Sequence, residues 1–155
     1  MSNRRAFLDM IAYSELGAGL IAVSDNGYNV LVGSTADKPD LFHSYADHPR
    51  VRVWLNGLKL YSTAAGRYQL LARYFDAYKA QLNLPDFSPA SQDAIALQQC
   101  LEQRALKAID SGDFELAVDR VSNIWASPPG NSYGQHANKI DDLRMAYVKA
   151  GGVVA

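Results

Sequence analysis

The sequence has little cysteine and no excess of either charge. Among its 155 residues Cys100 is the only cysteine, so no disulfide can form within the chain, and leucines at 97 and 101 indicate a buried thiol rather than a nucleophile. Fifteen basic and sixteen acidic residues give a formal net charge of -1. This balance offers no electrostatic footprint for nucleic acid or for an anionic membrane. We therefore expect neither a nucleic-acid partner nor a membrane partner.

Long hydrophobic runs are also missing. No stretch approaches the roughly 20 apolar residues of a membrane span. Arg4 and Arg5 resemble the start of a twin-arginine export signal, but Asp9, Ser14 and Glu15 interrupt the stretch that follows, so we expect no export by that route. With 48% apolar residues the chain can bury a sizeable core, and we interpret residues 1–155 as a single domain.

Motifs for metals, cofactors and nucleophilic serines are weak. Residues 17–22 fit the dinucleotide fingerprint G-x-G-x-x-A, but a helix precedes them where a strand is required. His43, Asp47 and His48 lie in a loop without a helical HExxH spacing or a cysteine pair. No G-x-S-x-G elbow presents a serine. We expect no metal and no cofactor.

A candidate catalytic acid follows the first helix. Apolar residues at helical spacing predict a helix over residues 3–13, and Glu15 would lie just past its last turn, before a glycine-rich turn. Exposed carbonyls at a helix C-terminus disfavour a negative charge, and burial adds to that effect. Both would raise the pKa of Glu15 toward that of a proton donor, although an ordinary solvated glutamate is the commoner situation.

The rest of the chain divides into a β-rich lobe, about residues 20–60, and a helical lobe, about residues 62–150. Residues 21–23 and 28–32 lean toward strands around Asn26-Gly27, which predicts a hairpin, and residues 51–54 predict a further short strand. Helices are predicted from Ser62 or Thr63, with residues 66–69 in the first turns, from Ser88-Pro89 to about residue 109, from Asp113 onward, and over residues 136–150 before Gly151-Gly152.

Several blocks of this sequence resemble one family. They are RxAFLDMxAxSE at residues 4–15, NxGYxVxVG at 26–33, ADHPR at 46–50, AGRYQLL at 65–71, DFSPxSQDAxALQQ at 86–99 and SNIWASxPGxxYGQ at 122–135. In this order, and over nearly the whole chain, they are similar to the lambda-type phage endolysins, which are small lytic transglycosylases. Residues 16–25 and 34–40 depart from the family pattern, which puts loop contacts in doubt. The resemblance implies a lysozyme-like α+β fold, with a helical lobe, a small antiparallel sheet and a glycan groove between them.

The resemblance also implies a reaction. Members of this family cleave the MurNAc-β-1,4-GlcNAc bond of peptidoglycan with one glutamate, here Glu15, because the C6 hydroxyl of the muramic acid attacks its own C1 and closes a 1,6-anhydro ring. The enzyme would wait in the host bacterial cytoplasm until a phage holin permeabilises the membrane, and would then act in the periplasm. We expect a monomer.

Four residues are candidates for binding the glycan: Tyr68, Gln69, Trp125 and Tyr133. Aromatic faces stack on sugars, and amides bind their hydroxyl groups. Tyr133 lies in an aromatic and glycine-rich segment, residues 125–135, with the composition of a loop that closes over a flat ligand. Trp125 is equally consistent with a purely structural role, since aromatic residues at helical spacing more often belong to a core.

Two alternative functions remain at this point. Glycosidases ordinarily use two carboxyl groups. They lie roughly 5 Å apart when the second is a nucleophile and roughly 6.5–9.5 Å apart when it is a base that activates water. Asp25 and Asp47 are possible partners of Glu15 in such a hydrolytic muramidase. A peptidoglycan-binding module without catalysis would use the same groove residues but would not need Glu15.

Overall fold

The computed structural model describes residues 2–125 and 140–155. Over these residues helices dominate and the strands form one two-stranded antiparallel sheet, which confirms the α+β class. In chain order the elements are α1 (Asn3–Leu16), α2 (Ala18–Ala22), β1 (Val53–Leu55), β2 (Leu60–Ser62), α3 (Ala72–Leu82), α4 (Pro89–Glu102), α5 (Leu106–Ser111), α6 (Phe114–Val121) and α7 (Ile140–Lys149). No helix in the described part of the chain is long and apolar enough to span a bilayer.

The chain divides into two compact units. The first unit combines Met1–Glu15 with Ala96–Ala155, and the second unit is Leu16–Ile95. The expected β-rich lobe at about residues 20–60 and the expected helical lobe at about residues 62–150 stay predictions. The interpretation of residues 1–155 as one domain stays a prediction.

An aromatic cluster forms the core of the first unit. The ring of Phe7 on α1 meets Phe114 of α6 edge-on at 6.4 Å and Tyr147 of α7 at 6.5 Å, and the last two rings are 4.9 Å apart. All three side chains are at most 3% exposed. Burial of each such side chain contributes roughly 1.5–3 kcal/mol. Asn3 adds a polar tie, since its amide donates to the Ile109 carbonyl at 3.1 Å.

The second unit has its own core. Its buried members are Leu31, Phe42, Ala65, Leu70, Phe75, Phe87 and Ile95. His48 packs beside this cluster, with ring centroids 4.9 Å from Phe87 and 5.8 Å from Phe75. Its Nε2 donates to the Leu70 carbonyl at 2.8 Å, while its Nδ1 accepts from the Arg50 amide at 2.9 Å. Since one ring nitrogen donates and the other accepts, these contacts fit a neutral imidazole.

The sheet does not lie where the sequence indicated. Strands β1 and β2 pair with Val53 opposite Ser62, Trp54 opposite Tyr61 and Leu55 opposite Leu60. The predicted strand at residues 51–54 is therefore confirmed in part, but the predicted hairpin around Asn26-Gly27 is wrong. Asn26 and Gly27 do adopt positive φ, at 51° and 85°, but residues 18–22 before them form α2. A three-residue apolar run does not distinguish a strand from a helical turn.

Two predicted helices also differ from the structure. Residues 66–69 form a tight loop instead of a first helical turn, closed by two backbone hydrogen bonds between Ala65 and Leu70 at 2.9 and 3.1 Å. Helix α3 begins at Ala72, whose amide donates to the Thr63 hydroxyl at 3.0 Å, so the cap comes from nine residues earlier. The helix expected to reach residue 109 ends at Glu102, and Arg104 with φ of 59° separates it from α5.

Other predicted boundaries are confirmed. Pro89 is the first residue of α4, and Asp113 holds the N-cap position of α6, although its side chain makes no capping hydrogen bond there. Helix α7 is followed by Gly151 with φ of 98°, a conformation that favours glycine. The predicted start of this helix at residue 136 lies outside the described residues.

Candidate active site

Glu15 lies within the last turn of α1, not after it as the sequence indicated. The helix continues to Leu16 and is stopped by Gly17, whose φ of 80° few other residues would adopt. The residue as a whole is partly buried, and its Oε2 is screened from solvent. This burial raises the pKa of Glu15 from 4.5 to about 8. The structure thus supports burial as the cause of the raised pKa.

A glutamate with this pKa has a defined chemical capacity. At neutral pH it is mostly protonated, so it can give a proton to a leaving group, and as a carboxylate it can then accept one. Placement on a helix, and not on a loop, fixes the backbone from which the carboxyl extends. Glu15 therefore has the protonation state that a general acid requires.

Two of the proposed glycan-binding residues lie in the tight loop of the second unit. Tyr68 is 5% exposed. Gln69 is half-buried with φ of 54°, and its amide donates to the Gly66 carbonyl at 2.9 Å. Their role as sugar contacts stays a prediction, and burial of Tyr68 leaves little of its surface for a ligand.

The hydroxyl of Tyr68 belongs to a buried polar network. It donates to Asp93 at 2.6 Å and accepts from Arg67 at 3.1 Å, while Tyr28 donates to the same carboxylate at 2.9 Å. The guanidinium of Arg67 also lies 5.2 Å from the Tyr28 ring centroid and donates to the Asn26 carbonyl at 2.9 Å. This network fixes the tight loop against α4 and the Asn-Gly turn.

Sequence reasoning missed this network. Its members are up to 65 positions apart, between Tyr28 and Asp93, and no local pattern marks a buried ion. The only signal was the AGRYQLL block itself, where a charged residue stands among apolar ones. Arg67 is 3% exposed, and a charge is buried to that degree only when it is well paired.

The two possible second carboxylates have different surroundings. Asp25 accepts a hydrogen bond from the Tyr45 hydroxyl at 2.5 Å. Asp47 accepts from Arg50 at 2.9 Å, and this pairing lowers the pKa of Asp47. Arg50 also pairs with Asp76, so Asp47 is part of an exposed three-residue ion cluster.

Trp125 and Tyr133 are the other two candidates for glycan binding. Trp125 is 2% exposed in the first unit, so the structure favours a packing role over open stacking, and its glycan-binding role stays a prediction. Tyr133 and the predicted closing loop lie outside the described residues.

Within residues 2–125 and 140–155, no three His, Cys, Asp or Glu side chains cluster as metal ligands would. Cys100 is fully buried, as expected, and burial raises the pKa of its thiol.

Comparison with known proteins gives consistent matches over the full chain. The family model described as Endolysin matches residues 5–154. The endolysin of Escherichia phage lambda is 54% identical over 154 residues, covering 99% of this chain and 94% of that protein. The endolysin of Escherichia phage P2 is 44% identical over 157 residues, covering 99% and 95%.

Solved structures similar to this chain agree with the sequence comparison. Bacteriophage lambda lysozyme complexed with a chitohexasaccharide superposes with a TM-score of 0.87 at 52% identity, covering 99% of this chain and 96% of that one. A second structure of lysozyme from bacteriophage lambda gives a TM-score of 0.84 at 52% identity, covering 100% and 98%. The expected lysozyme-like fold is thereby confirmed. With the family model, the sequence relatives and the fold in agreement, the chain belongs to the endolysin family.

Proposed function

We propose that this endolysin cleaves the MurNAc-β-1,4-GlcNAc bond of peptidoglycan by non-hydrolytic lytic transglycosylation, with Glu15 as the catalytic residue. The observation that carries the proposal is the buried carboxyl of Glu15, whose pKa is raised to about 8. The complex of lambda lysozyme with a chitohexasaccharide supports a β-1,4-linked hexosamine chain as the substrate class.

The proposed reaction uses one carboxyl group twice. Protonated Glu15 donates its proton to the glycosidic O4 as the bond between muramic acid C1 and that oxygen breaks. The C6 hydroxyl oxygen of the same muramic acid then bonds to C1, and its proton passes to the Glu15 carboxylate. The acid is regenerated, a 1,6-anhydro ring forms and no water is consumed. General acid-base catalysis of this kind contributes roughly 10²- to 10⁴-fold.

An internal nucleophile removes the need for a second carboxylate. Well-oriented intramolecular reactions reach effective molarities of roughly 10⁵–10⁸ M, far above what a mobile water offers. Asp47 is already held by Arg50 in an exposed cluster, which favours a structural role for its carboxylate. The hydrolytic alternative would instead need Asp25 or Asp47 to activate water.

The test is mass spectrometry of fragments released from purified Gram-negative peptidoglycan. Wild-type protein should release muropeptides lighter by one water and lacking a reducing end, and release should fall as the pH rises through about 8, the pKa of Glu15. Glu15→Gln should release none while staying folded. The matched control is Glu102→Gln, an exposed glutamate of α4, which should act like wild type.

Each other result would contradict part of the proposal. Reducing ends at muramic acid, lost in Asp25→Asn or Asp47→Asn, would indicate a hydrolytic muramidase. Wild-type activity in Glu15→Gln would refute the role of that residue. Binding of peptidoglycan without any released fragment would indicate a binding module.

The cellular part of the proposal follows from the resemblance to phage endolysins. We propose that the protein accumulates as a monomer in the host bacterial cytoplasm and reaches the periplasm only after a holin permeabilises the membrane. Cells producing the protein alone should stay intact, and they should lyse when a holin or chloroform opens the inner membrane. Lysis without either treatment would contradict this order of events.

A further inference from the structure

The β1–β2 hairpin carries two exposed aromatic side chains on one face. Trp54 and Tyr61 are cross-strand partners, so both side chains leave the same side of the sheet. Their ring centroids are 5.1 Å apart at an interplanar angle of 64°. Trp54 is 49% exposed and Tyr61 is 54% exposed. Large aromatic residues usually bury more of their surface, so this face is available to a ligand.

On β1 the opposite face of the hairpin packs, although Leu60, which pairs with Leu55 from β2, is 46% exposed. Val53 and Leu55 flank Trp54 along β1 and are both partly buried. A Cβ placed on Gly33 would lie 3.7 Å from a side-chain atom of each. Alternation along the strand therefore directs Val53 and Leu55 toward Gly33, and the aromatic pair toward solvent.

A cation completes the exposed face. Arg52 lies two residues before Trp54 and places its guanidinium carbon 4.3 Å from the Tyr61 ring centroid. Residues 51–62 also include Lys59 and contain no acid. Arg50 nearby pairs with Asp47 and Asp76, whereas among the described residues Arg52 makes no ion pair. The stacked guanidinium thus keeps its charge available to an anion.

We propose that Trp54 and Tyr61 bind sugar rings of a peptidoglycan strand, and that Arg52 binds a carboxylate of the stem peptide that this strand carries. The inference rests on the proposed function, because the substrate there is a glycan with anionic peptides. The C–H faces of hexosamines stack on aromatic rings, and a cationic segment without acids complements the carboxylates. Stacking of Arg52 on Tyr61 holds the guanidinium ready and reduces the rotamer freedom lost on binding.

The experiment measures affinity in a Glu15→Gln background, where bound strands stay intact. The probes are purified glycan strands with stem peptides, and the same strands after an amidase has removed the peptides and a carbodiimide has amidated the lactyl carboxylates that this cleavage exposes. Trp54→Ala and Tyr61→Ala should each weaken binding of both probes, roughly 5- to 30-fold. Arg52→Ala should weaken binding of the peptide-bearing strand roughly two- to fivefold and leave the stripped strand unaffected.

A second exposed pair of the same kind supplies the control. Arg73 on α3 lies 4.9 Å from the ring centroid of Tyr74, which is 47% exposed. Arg73→Ala and Tyr74→Ala should leave both affinities unchanged, so that loss of an exposed cation or ring does not by itself explain an effect. Arg52→Glu is a second variant for the case in which an alanine variant of the hairpin unfolds, because an exposed side chain tolerates charge reversal. It should lower the affinity for the peptide-bearing strand at least tenfold.

Three results would overturn the proposal. The first is equal affinity of the hairpin variants and their parent for both probes. The second is an equal effect of Arg52→Ala on stripped strands, which would remove the peptide carboxylate as its ligand. The third is stronger binding to phosphatidylglycerol vesicles than to strands, lost in Trp54→Ala, which would assign the face to a membrane surface. Analysis of the fragments released by the wild type tests the proposed function independently of the hairpin. Anhydro products would support that function even if the hairpin variants bound both probes like their parent.

Discussion

Replacing Glu15 by glutamine is expected to stabilise the folded protein at neutral and alkaline pH while it removes activity. Burial raises the pKa of Glu15 from 4.5 to about 8, so the folded state favours the neutral carboxyl. The unfolded chain releases that proton near pH 4.5, and the folded state therefore loses stability as the pH rises from about 4.5 to about 8. Glutamine has nearly the same shape and cannot ionise, so the variant escapes this loss.

The magnitude follows from the two pKa values. Proton linkage between these two pKa values sets an upper limit on the gain in free energy of unfolding of Glu15→Gln. This limit is roughly 3 kcal/mol at pH 7 and almost zero at pH 4. Because Glu15 is partly exposed, solvent relaxation reduces this limit, and we expect a gain of about 1–3 kcal/mol. For a chain of this size each kcal/mol raises Tm by roughly 2–4 °C.

The assay is urea denaturation at pH 4, 7 and 8 with wild type, Glu15→Gln and the control Glu102→Gln. The free energy of unfolding of Glu15→Gln should exceed that of the wild type at pH 7 and 8 and should converge with it at pH 4. Glu102 is exposed on α4 and accepts from Gln98 at 3.3 Å, a hydrogen bond that a glutamine can keep. A constant difference between wild type and Glu15→Gln across the three pH values would refute the reasoning, since a packing effect does not titrate.

Two further predictions concern the second unit. Gly66→Ala should lower the free energy of unfolding, measured by urea denaturation, by about 2–4 kcal/mol, because φ is 86° and a Cβ there would collide with the Gln92 side chain. The control Gly57→Ala has open space around the new Cβ and should lower it by less than about 0.5 kcal/mol. Burial lowers the pKa of His48 below 6.5, so in the Glu15→Gln background, where the opposing titration of Glu15 is absent, stability should decline as the pH falls through 6.5. In the same background His48→Gln should be less stable at pH 7 but should not show that decline; an undiminished decline would mean that another group titrates.

The sequence was a good guide to elements with strong local signals. Helix α1, the start of α4 at Pro89 and the stop at Gly151 depend on periodicity, a proline at the first helical position and a glycine with positive φ, all of which act within a few residues. The Asn26-Gly27 turn was also real. Its flanking strands were not, because short apolar runs adopt the structure that their distant neighbours stabilise.

The residues of the candidate site show the same difference between local and long-range signals. Glu15 was found from its place beside a helix end and from family motifs, and both signals are local. The buried network around Tyr68 joins residues up to 65 positions apart, so no local window of sequence contains it. Tyr68 shows the consequence, since a residue chosen for sugar contact has a hydroxyl bonded inside this network.

By itself the sequence determined the family, the α+β class and the identity of the candidate acid, because ordered motifs and helical periodicity are written in neighbouring residues. Only the tertiary structure decided that the glutamate is buried enough to hold a proton at neutral pH, that the sheet lies at residues 53–62, and that one face of the sheet exposes an aromatic pair beside a cation. Desolvation, strand register and exposure depend on which surfaces meet after folding, and distant parts of the chain supply those surfaces.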